Sequence, residues 1–497
     1  MLKVGFVSLG CPKNLVDSEV MMGMLVRHGC EITPRPGEAD VLVVNTCSFI
    51  ASAQQESVES ILEMAEYKKF GSAKRLIVAG CMAERYRHEI QQQIPEVDAV
   101  IGTGEIERII EVCAGEIRAD AARADGLSAA AATSDSVDHR TASLPTYLYT
   151  DATPRILTTP RHSAYIKINE GCDHPCTFCI IPELRGKFRS RRFESIIQEA
   201  RNMALAGVRE ISLIGQDTTF YGEDLGIRDG LAHLLERLAG IEDLSWIRFL
   251  YCYPNRITPR LLATIAAHPR LAKYMDIPLQ HASRNVLARM KRGANGDVFL
   301  KMLENIRREV PGVSLRTSFI VGFPGETEAD FEELCDFVRA AELDWMGVFA
   351  YSDEDTAESF RLDGKVDAKT ISRRRNALMA IQKKISRKKL RARVGDRVTA
   401  LLEGPSADNQ LVWDARLEGM APEIDGKIFI TDMEGVNDVA DLPAPGTMAA
   451  VEITSAKDYD LIGRVVEFES DLAARRTLGG RAYQTSPQAP SPFSILA

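Results

Sequence analysis

Glu170-Gly171-Cys172-Asp173-His174-Pro175-Cys176-Thr177-Phe178-Cys179 carries three thiols within eight residues, spaced Cys-x3-Cys-x2-Cys. The run follows directly on Ala164–Asn169, a stretch with strand character. A zinc site takes four tetrahedral ligands from paired Cys and His runs, and no close downstream pair completes one here. Three thiolates on one short loop suit three irons of a 4Fe–4S cube and leave the fourth iron open to an outside ligand. Two plainer readings stand beside this one: three buried thiols, or a zinc site with His174 as fourth ligand. Tight loops seldom concentrate cysteine without a metal, which favours the cluster.

Outward from that loop, residues 159–352 alternate strands with amphipathic helices. The strands fall at Ala164–Asn169, Glu210–Ile214, Trp246–Leu250, Tyr274–Ile277, Ser314–Val321 and Met346–Tyr351. Helices fall between them, including Arg192–Ala206, Gly230–Ala239, Thr258–Ala267, Val298–Glu309 and Glu328–Ala341. A parallel βα barrel keeps its chemistry on the loops after the strands, so the cysteine loop lies on the catalytic face. Six units rather than eight predict a partial, open barrel with a side gap for a large substrate. Three other strand ends share that rim: Gly215-Gln216-Asp217, Pro278-Leu279-Gln280-His281-Ala282-Ser283 and Gly322-Phe323-Pro324-Gly325-Glu326-Thr327. Glycines there let backbone amides approach a ligand. Alone, the last run is a turn and helix cap; beside the cysteine loop, all three read as walls of a nucleotide-like pocket.

Residues 1–117 have the same βαβα rhythm, which predicts a doubly wound parallel sheet. Its strands are Lys3–Ser8, Val41–Asn45, Arg75–Ala79 and Ala99–Gly102, and its helices Leu15–His28, Ala51–Phe70, Glu84–Gln93 and Glu105–Ala114. The first three strands each run into a cysteine: Ser8-Leu9-Gly10-Cys11, Asn45-Thr46-Cys47 and Ala79-Gly80-Cys81. In a parallel sheet all three loops emerge at the carboxyl edge, where such folds bind ligands. Any one of these thiols could be a small core residue. The repeated strand-end position favours a second cluster held by Cys11, Cys47 and Cys81. Cys30 and Cys113 fall at helix ends and read as packing residues.

Residues 118–158 are rich in Ala, Ser, Thr and Asp, bury little and read as a linker. Residues 371–393 form a basic amphipathic helix with Ile371, Leu378, Ile381 and Ile385 as its apolar stripe. Its charges read as a solvated face, with a contact to ribosomal RNA as the lesser reading. Residues 394–467 carry five short strands, Arg397–Glu403, Leu411–Leu417, Lys427–Ile430, Thr447–Ser455 and Ile462–Glu467, joined by Gly, Pro and Asp turns. That pattern predicts a small barrel of the oligonucleotide-binding shape. Between Asp396 and Glu467 there are 15 Asp and Glu against 5 Lys and Arg, a net of −10. A surface for RNA phosphates should be basic, so this module suits a basic protein. The tail, 468–497, is polar and Pro-rich and is expected to be disordered.

The whole chain has a net charge of −9 over 497 residues, which argues against a protein that coats nucleic acid. No apolar run approaches the roughly 20 residues of a membrane helix. Met1-Leu2-Lys3-Val4-Gly5-Phe6 reads as a first strand and carries no signal-peptide pattern. A cytoplasmic location follows, in which the ten cysteines stay reduced.

Cys172-x3-Cys176-x2-Cys179 on the first loop of a partial barrel is similar to the radical S-adenosylmethionine superfamily. With the N-terminal cysteines and the C-terminal barrel, residues 1–467 resemble the methylthiotransferases of that superfamily. Cys-Pro-Lys-Asn-Leu-Val-Asp-Ser-Glu at 11–19, Glu170-Gly171-Cys172, Pro182, Arg185-Gly186, Ala421-Pro422-Glu423-Ile424-Asp425-Gly426 and Tyr459-Asp460-Leu461 resemble its RimO branch. The resemblance implies two 4Fe–4S clusters, one on Cys172, Cys176 and Cys179 and an auxiliary one on Cys11, Cys47 and Cys81. It implies one S-adenosylmethionine as radical source, a second as methyl donor, and an external electron donor. The implied reaction replaces a β-carbon hydrogen of an aspartate, in the twelfth protein of the ribosomal small subunit, with methylthio. Gln216, Arg316, Gly322 and Gly325 are the residues expected in the S-adenosylmethionine pocket, with no catalytic residue beyond the cluster ligands. The implied domains are 1–117 (auxiliary cluster), 159–370 (radical barrel), 371–393 (connecting helix) and 394–467 (TRAM-like barrel), in a monomer. Two other functions compete: a methylthiotransferase for isopentenyladenosine in transfer RNA, and a non-catalytic iron–sulfur electron carrier.

Overall fold

The computed structural model describes residues 1–113, 145–407, 409, 411–436, 438 and 441–468. The tail expected beyond 468 and the first part of the expected linker lie outside these residues.

Near the N-terminus, β1 (Lys3–Ser8), β2 (Glu31–Thr33), β3 (Val41–Thr46), β4 (Arg75–Gly80) and β5 (Ala99–Ile101) form one parallel sheet in the order β2-β1-β3-β4-β5. Alternation along each strand sorts its apolar side chains to two faces. Val41 and Val43 join Val4, Ile77 and Ala79 under the helix Pro12–Arg27. Leu42 and Val44 join Leu76 and Val78 under the helix Ala51–Phe70. Helices on both faces make the sheet doubly wound, as the sequence predicts. Two differences are local. The three-residue edge strand β2 is too short to show in the sequence pattern. The helix predicted over Glu84–Gln93 is two helices, Cys81–Arg85 and Arg87–Gln93, joined at Tyr86.

In the centre, β6 (Ser163–Lys167), β9 (Glu210–Ile214) and β10 (Trp246–Phe249) form one parallel trio, and β11 (Tyr274–Asp276), β12 (Ser314–Val321) and β13 (Trp345–Ala350) another. A parallel bridge from Ile247 to Leu271 connects the trios into an open arc of six strands. β7 (Asn169–Glu170) and β8 (Arg189–Ser190) make a short antiparallel pair at the base of the cysteine loop. Ala164, Ile166, Ile211, Leu213, Ile247 and Phe249 point outward into a core shared with the surrounding helices. Tyr165, Ile214, Leu250, Tyr274 and Trp345 point inward.

Five strands, β14 (Arg397–Pro405), β15 (Trp413–Leu417), β16 (Ile428–Met433), β17 (Met448–Ala456) and β18 (Leu461–Phe468), close into a barrel. Closure removes the exposed edges that such short strands would otherwise present. This barrel covers the amino end of the six-stranded arc. Arg416 reaches Glu210, the first residue of β9. Tyr274, the first of β11, donates to Asp425 Oδ2 at 2.7 Å, and Trp345, the first of β13, donates to the Gly419 carbonyl at 2.7 Å. The carboxyl end, with the cysteine loop, stays clear of it.

The basic helix, Ala368–Arg391, packs on β13 and on the helix Glu328–Ala341. Its basic face is solvated, as expected, but several of its exposed cations also meet acids of neighbouring elements. Arg374 pairs with Glu326 and Glu328, Lys388 with Glu342, Lys389 with Asp344, and Lys383 and Arg387 with Asp458 of the C-terminal barrel. Arg375, Lys384, Arg391 and Arg393 remain exposed.

Residues 145–158, expected to belong to a linker that buries little, are instead built into the interface between the N-terminal sheet and the arc. Arg155 binds Glu19 Oε2 through Nε (2.9 Å) and Nη2 (2.6 Å), and Glu199 Oε1 through Nη1 (2.8 Å). All three side chains are buried. Removing one member of such a group strands a buried charge. Arg155→Met is therefore expected to destabilise the chain by about 3–5 kcal/mol, read as a lower denaturant midpoint. Arg464→Met, which breaks an exposed pair with Glu452, should change it by about 0.5 kcal/mol or less.

Candidate functional site

The strand order makes β1, β3 and β4 neighbours, and their register sets Ser8 beside Asn45 and Asn45 beside Ala79. Cys11, Cys47 and Cys81 therefore leave the sheet side by side. Two amides tie these loops together. Asn14 Nδ2 donates to the Leu9 and Thr46 carbonyls at 3.0 and 2.8 Å. Asn45 Nδ2 donates to the Asn14 carbonyl and to Ser18 Oγ, both at 2.8 Å. Gly10 adopts φ of +85°, and a Cβ there would stand 2.7 Å from Cys47 Cβ and 2.9 Å from its Sγ. Burial first, and then the neighbouring Cys11 and Cys81 thiols, push the Cys47 thiol up to about 12. Burial raises Cys81 as well, against the Arg185 guanidinium, whose Nη2 lies 3.4 Å from its sulfur. Three neighbouring thiols, Cys47 and Cys81 buried and Cys11 half-buried, are a donor set suited to a soft, cationic cluster.

The second set sits on the loop after β6 and β7. Thr177 pins it, its N–H donating to the Met290 carbonyl at 3.3 Å and its Oγ1 to the Arg289 carbonyl at 2.9 Å. Burial, then the charge of Asp217, pushes Cys172 up to about 11, and burial with Cys176 and Cys172 pushes Cys179 to about 12. Arg292 Nη1 lies 3.6 Å from the Cys176 sulfur, its guanidinium over the Tyr253 ring. His174, the alternative zinc ligand, is otherwise engaged: it stacks on Tyr253 with centroids 3.7 Å apart, and its Nε2 lies 2.7 Å from Asp217 Oδ2. Among the described residues no three His, Cys, Asp or Glu side chains converge on a point that would hold a single metal ion. Zinc needs its sulfurs about 2.3 Å from one centre. A cube takes one thiolate per iron, so its thiols stand further apart.

One helix brings the two sets to the same cleft. Pro12–Arg27 is buried from Lys13 to Leu25, polar residues included. Asp17 pairs with Lys167 and with Arg185, and both cations also meet Glu170, two residues before Cys172. Burial would raise the Glu170 carboxyl, but Lys167 and Arg185 outweigh it and hold it at about 2. Arg185 Nη2 also donates to Asn14 Oδ1 at 2.6 Å. The polar residues of the 11–19 run are thus a docking face.

Of the four residues expected to line the pocket, Gln216 stays in the cleft. Its Nε2 donates to Glu170 Oε1 at 2.6 Å, while its Oε1 is buried without a partner. The other three make contacts within the chain. Arg316 is committed to Asp276 at 2.9 Å and to Asp425 of the C-terminal barrel at 3.4 Å. The Gly322 and Gly325 amides are taken by the Glu326 carboxylate and the Gly364 carbonyl. What demands glycine there is close packing, since a Cβ would meet Ile371 at 2.2 Å and Arg289 at 2.7 Å. His281, expected on the rim, is fully buried toward Glu326. Sequence reasoning passed over Lys13, Tyr251, Tyr253 and Arg292, whose positions depend on contacts distant in the chain.

An open parallel arc of six strands, with a three-thiol loop after the first, defines an enzyme of the radical S-adenosylmethionine class. Residues 166–338 match the family model described as the radical SAM superfamily. Residues 3–102 match the uncharacterized protein family UPF0004, and residues 394–466 the TRAM domain. The ribosomal protein uS12 methylthiotransferase RimO of Koribacter versatilis (strain Ellin345) is 57% identical over 489 residues, covering 93% of this chain and 96% of that protein. RimO of Solibacter usitatus (strain Ellin6076) is 59% identical over 467 residues, covering 94% and 95%. The chain belongs to the RimO family of methylthiotransferases and is a transferase. As a radical S-adenosylmethionine enzyme it works with an iron–sulfur cluster and S-adenosylmethionine. Among solved structures, the radical S-adenosylmethionine methyltransferase TsrM from Kitasatospora setae, with tryptophan and a SAM analogue bound, aligns with a TM-score of 0.50. It is 15% identical, over 82% of this chain and 79% of that one, and shares the fold alone.

The positioning of Cys47 gives a direct check on the N-terminal set. Gly10→Ala forces a Cβ against Cys47 and is expected to lower the iron and sulfide that the chain takes up on reconstitution. Full loading in that variant would contradict the arrangement.

Proposed function

We propose that this protein replaces one β-carbon hydrogen of an aspartate in ribosomal protein uS12 with a methylthio group. The observation that carries this reading is the pair of three-thiol sets tied together by the buried helix Pro12–Arg27 and the ion pairs of its Asp17. In it, Cys172, Cys176 and Cys179 hold a 4Fe–4S cluster whose fourth iron is open to S-adenosylmethionine, and Cys11, Cys47 and Cys81 hold a second. When bound, these groups would supply the radical chemistry of S-adenosylmethionine and the sulfur to be transferred.

The chain's own residues do the rest. Arg292 and Arg185 each set a guanidinium against a cysteine sulfur, Cys176 and Cys81, where they moderate the charge of the two sets. The buried Gln216 Oε1 is an acceptor for a hydroxyl or ammonium of S-adenosylmethionine. The stacked His174 and Tyr253 rings wall the cleft and keep water from a reactive species. Supporting a basic protein as partner is the C-terminal module, with a net of −10 between Asp396 and Glu467. The exposed Arg375, Lys384, Arg391 and Arg393 form a secondary contact for ribosomal RNA. The chain acts as a monomer, takes single electrons from an external donor and divides functionally at 1–117, 159–370, 371–393 and 394–467. Among the described residues no helix is long and apolar enough to cross a membrane.

The test is direct. Reconstituted protein with dithionite, S-adenosylmethionine and purified uS12 should give uS12 carrying methylthio in place of hydrogen on one aspartate, with 5′-deoxyadenosine formed alongside. Unmodified uS12 in a reaction that cleaves S-adenosylmethionine would refute the assignment.

A further inference from the structure

Lys13 is a buried ammonium with no carboxylate beside it. The residue is 8% exposed, and its Nζ lies 3.4 Å from the Gly215 carbonyl and 3.4 Å from the centre of the Tyr251 ring. Its neighbours in the same interface are treated differently. Lys167 and Arg185 are each paired with Asp17 and Glu170, and Arg155 with Glu19 and Glu199. Lys13 has instead the Tyr251 side chain as hydrogen-bond partner and the Cys11 thiol nearby, neither of them a carboxylate, and a buried cation gains from a full counter-ion.

Its location says what the missing partner must reach. Lys13 follows Cys11 by two residues, on the N-terminal rim. Gly215 and Tyr251 follow β9 and β10, on the rim of the arc. Gln216, next to Gly215, is bonded to Glu170 at the base of the Cys172 loop. The ammonium therefore stands between the two three-thiol sets. One further feature points at the same space. Tyr251 holds a left-handed φ of 64°, and its N–H is anchored on Asp276 Oδ2 at 3.1 Å, a conformation that non-glycine residues adopt at a cost and that clusters at ligand sites.

We propose that Lys13 binds the side-chain carboxylate of the acidic residue that is modified, and so selects aspartate over its neutral isostere asparagine. The proposal rests on the reading of the substrate as an aspartate of uS12. A carboxylate entering the cleft completes the only kind of pair this ammonium lacks, and the charge-assisted bond is strong because the site is dry. In aspartate the β-carbon is bonded directly to the carboxylate carbon. A clamp on the carboxylate thus fixes the reacting carbon one bond away and orients its hydrogen. Asparagine would leave the ammonium unpaired.

The test uses cluster-loaded full-length protein and two forms of recombinant uS12, with Asp or with Asn at the methylthiolated position. Binding is measured by calorimetry for the wild type, Lys13→Met and Lys13→Arg. The wild type should bind the Asp form about tenfold or more tightly than the Asn form, Lys13→Met should bind both alike, and Lys13→Arg should keep part of the preference. Undiminished preference for Asp in Lys13→Met overturns the proposal. So does a changed midpoint potential of either cluster with preference intact, which would make Lys13 a counter-ion of the cluster. Should Lys13→Met fail to load iron, Lys13→Gln takes its place with the same two outcomes. If the wild type binds neither form of uS12, the substrate reading itself has failed and this proposal falls with it.

Discussion

Replacing Cys172, Cys176 or Cys179 with Ala is expected to reduce 5′-deoxyadenosine formation to the level without enzyme. The argument is one of ligand count. In the proposed function each thiol on this loop serves one iron of a cube, and the loop offers no spare donor: His174 is held between Tyr253 and Asp217. The loop itself should survive the change, because Thr177 and the N–H of Ser359, which donates to the Thr177 carbonyl at 2.8 Å, clamp it from outside. Loss of the radical with an unchanged unfolding midpoint is the predicted pattern. Undiminished 5′-deoxyadenosine in all three variants would remove this loop from the chemistry.

Cys47→Ala should have an equally complete but different effect. The variant removes one sulfur from a site only 8% exposed, a loss on the order of 1 kcal/mol that the N-terminal sheet tolerates. With two clusters as proposed, the two thiols left cannot hold a cube, so iron per chain should fall by half. Cleavage of S-adenosylmethionine should persist, while methylthiolation of uS12 should disappear, because the cleft then has a radical and no sulfur to deliver. Chromatography of 5′-deoxyadenosine and mass spectrometry of uS12 on the same reaction separate the two. Methylthiolation that survives in Cys47→Ala would refute the auxiliary assignment.

The parts of the fold that were legible in the sequence are those set by local pattern. Runs such as Glu210–Ile214 and Ser314–Val321 match their strands residue for residue, because short runs rich in β-branched and apolar residues between turn and helix signals favour a strand. The carboxyl-edge rule then placed Cys11, Cys47 and Cys81 together with no knowledge of any contact. What the sequence could not show depends on partners far along the chain. Asp17 looks like a surface acid until Lys167 and Arg185 arrive from another domain. Arg155 sits in a stretch with no periodicity, yet its three-way pairing makes it part of the interface. Gly322 and Gly325 invite a ligand reading because strand-end glycines often serve one, whereas here Ile371 and Arg289 come too close for any side chain. The basic helix reads as a solvated face, and the acids that also meet it, Glu326, Glu342, Asp344 and Asp458, lie outside its own sequence.

The C-terminal barrel carries the choice between protein and RNA. A net of −10 suits a basic ribosomal protein and repels the phosphates of transfer RNA. Mass spectrometry of uS12 and of transfer RNA from matched strains, with and without this protein, addresses that choice most directly. The account predicts that the methylthio group on the uS12 aspartate vanishes from the strain lacking the protein while transfer RNA keeps its modifications. An unchanged uS12 together with loss of methylthio from transfer RNA would contradict it.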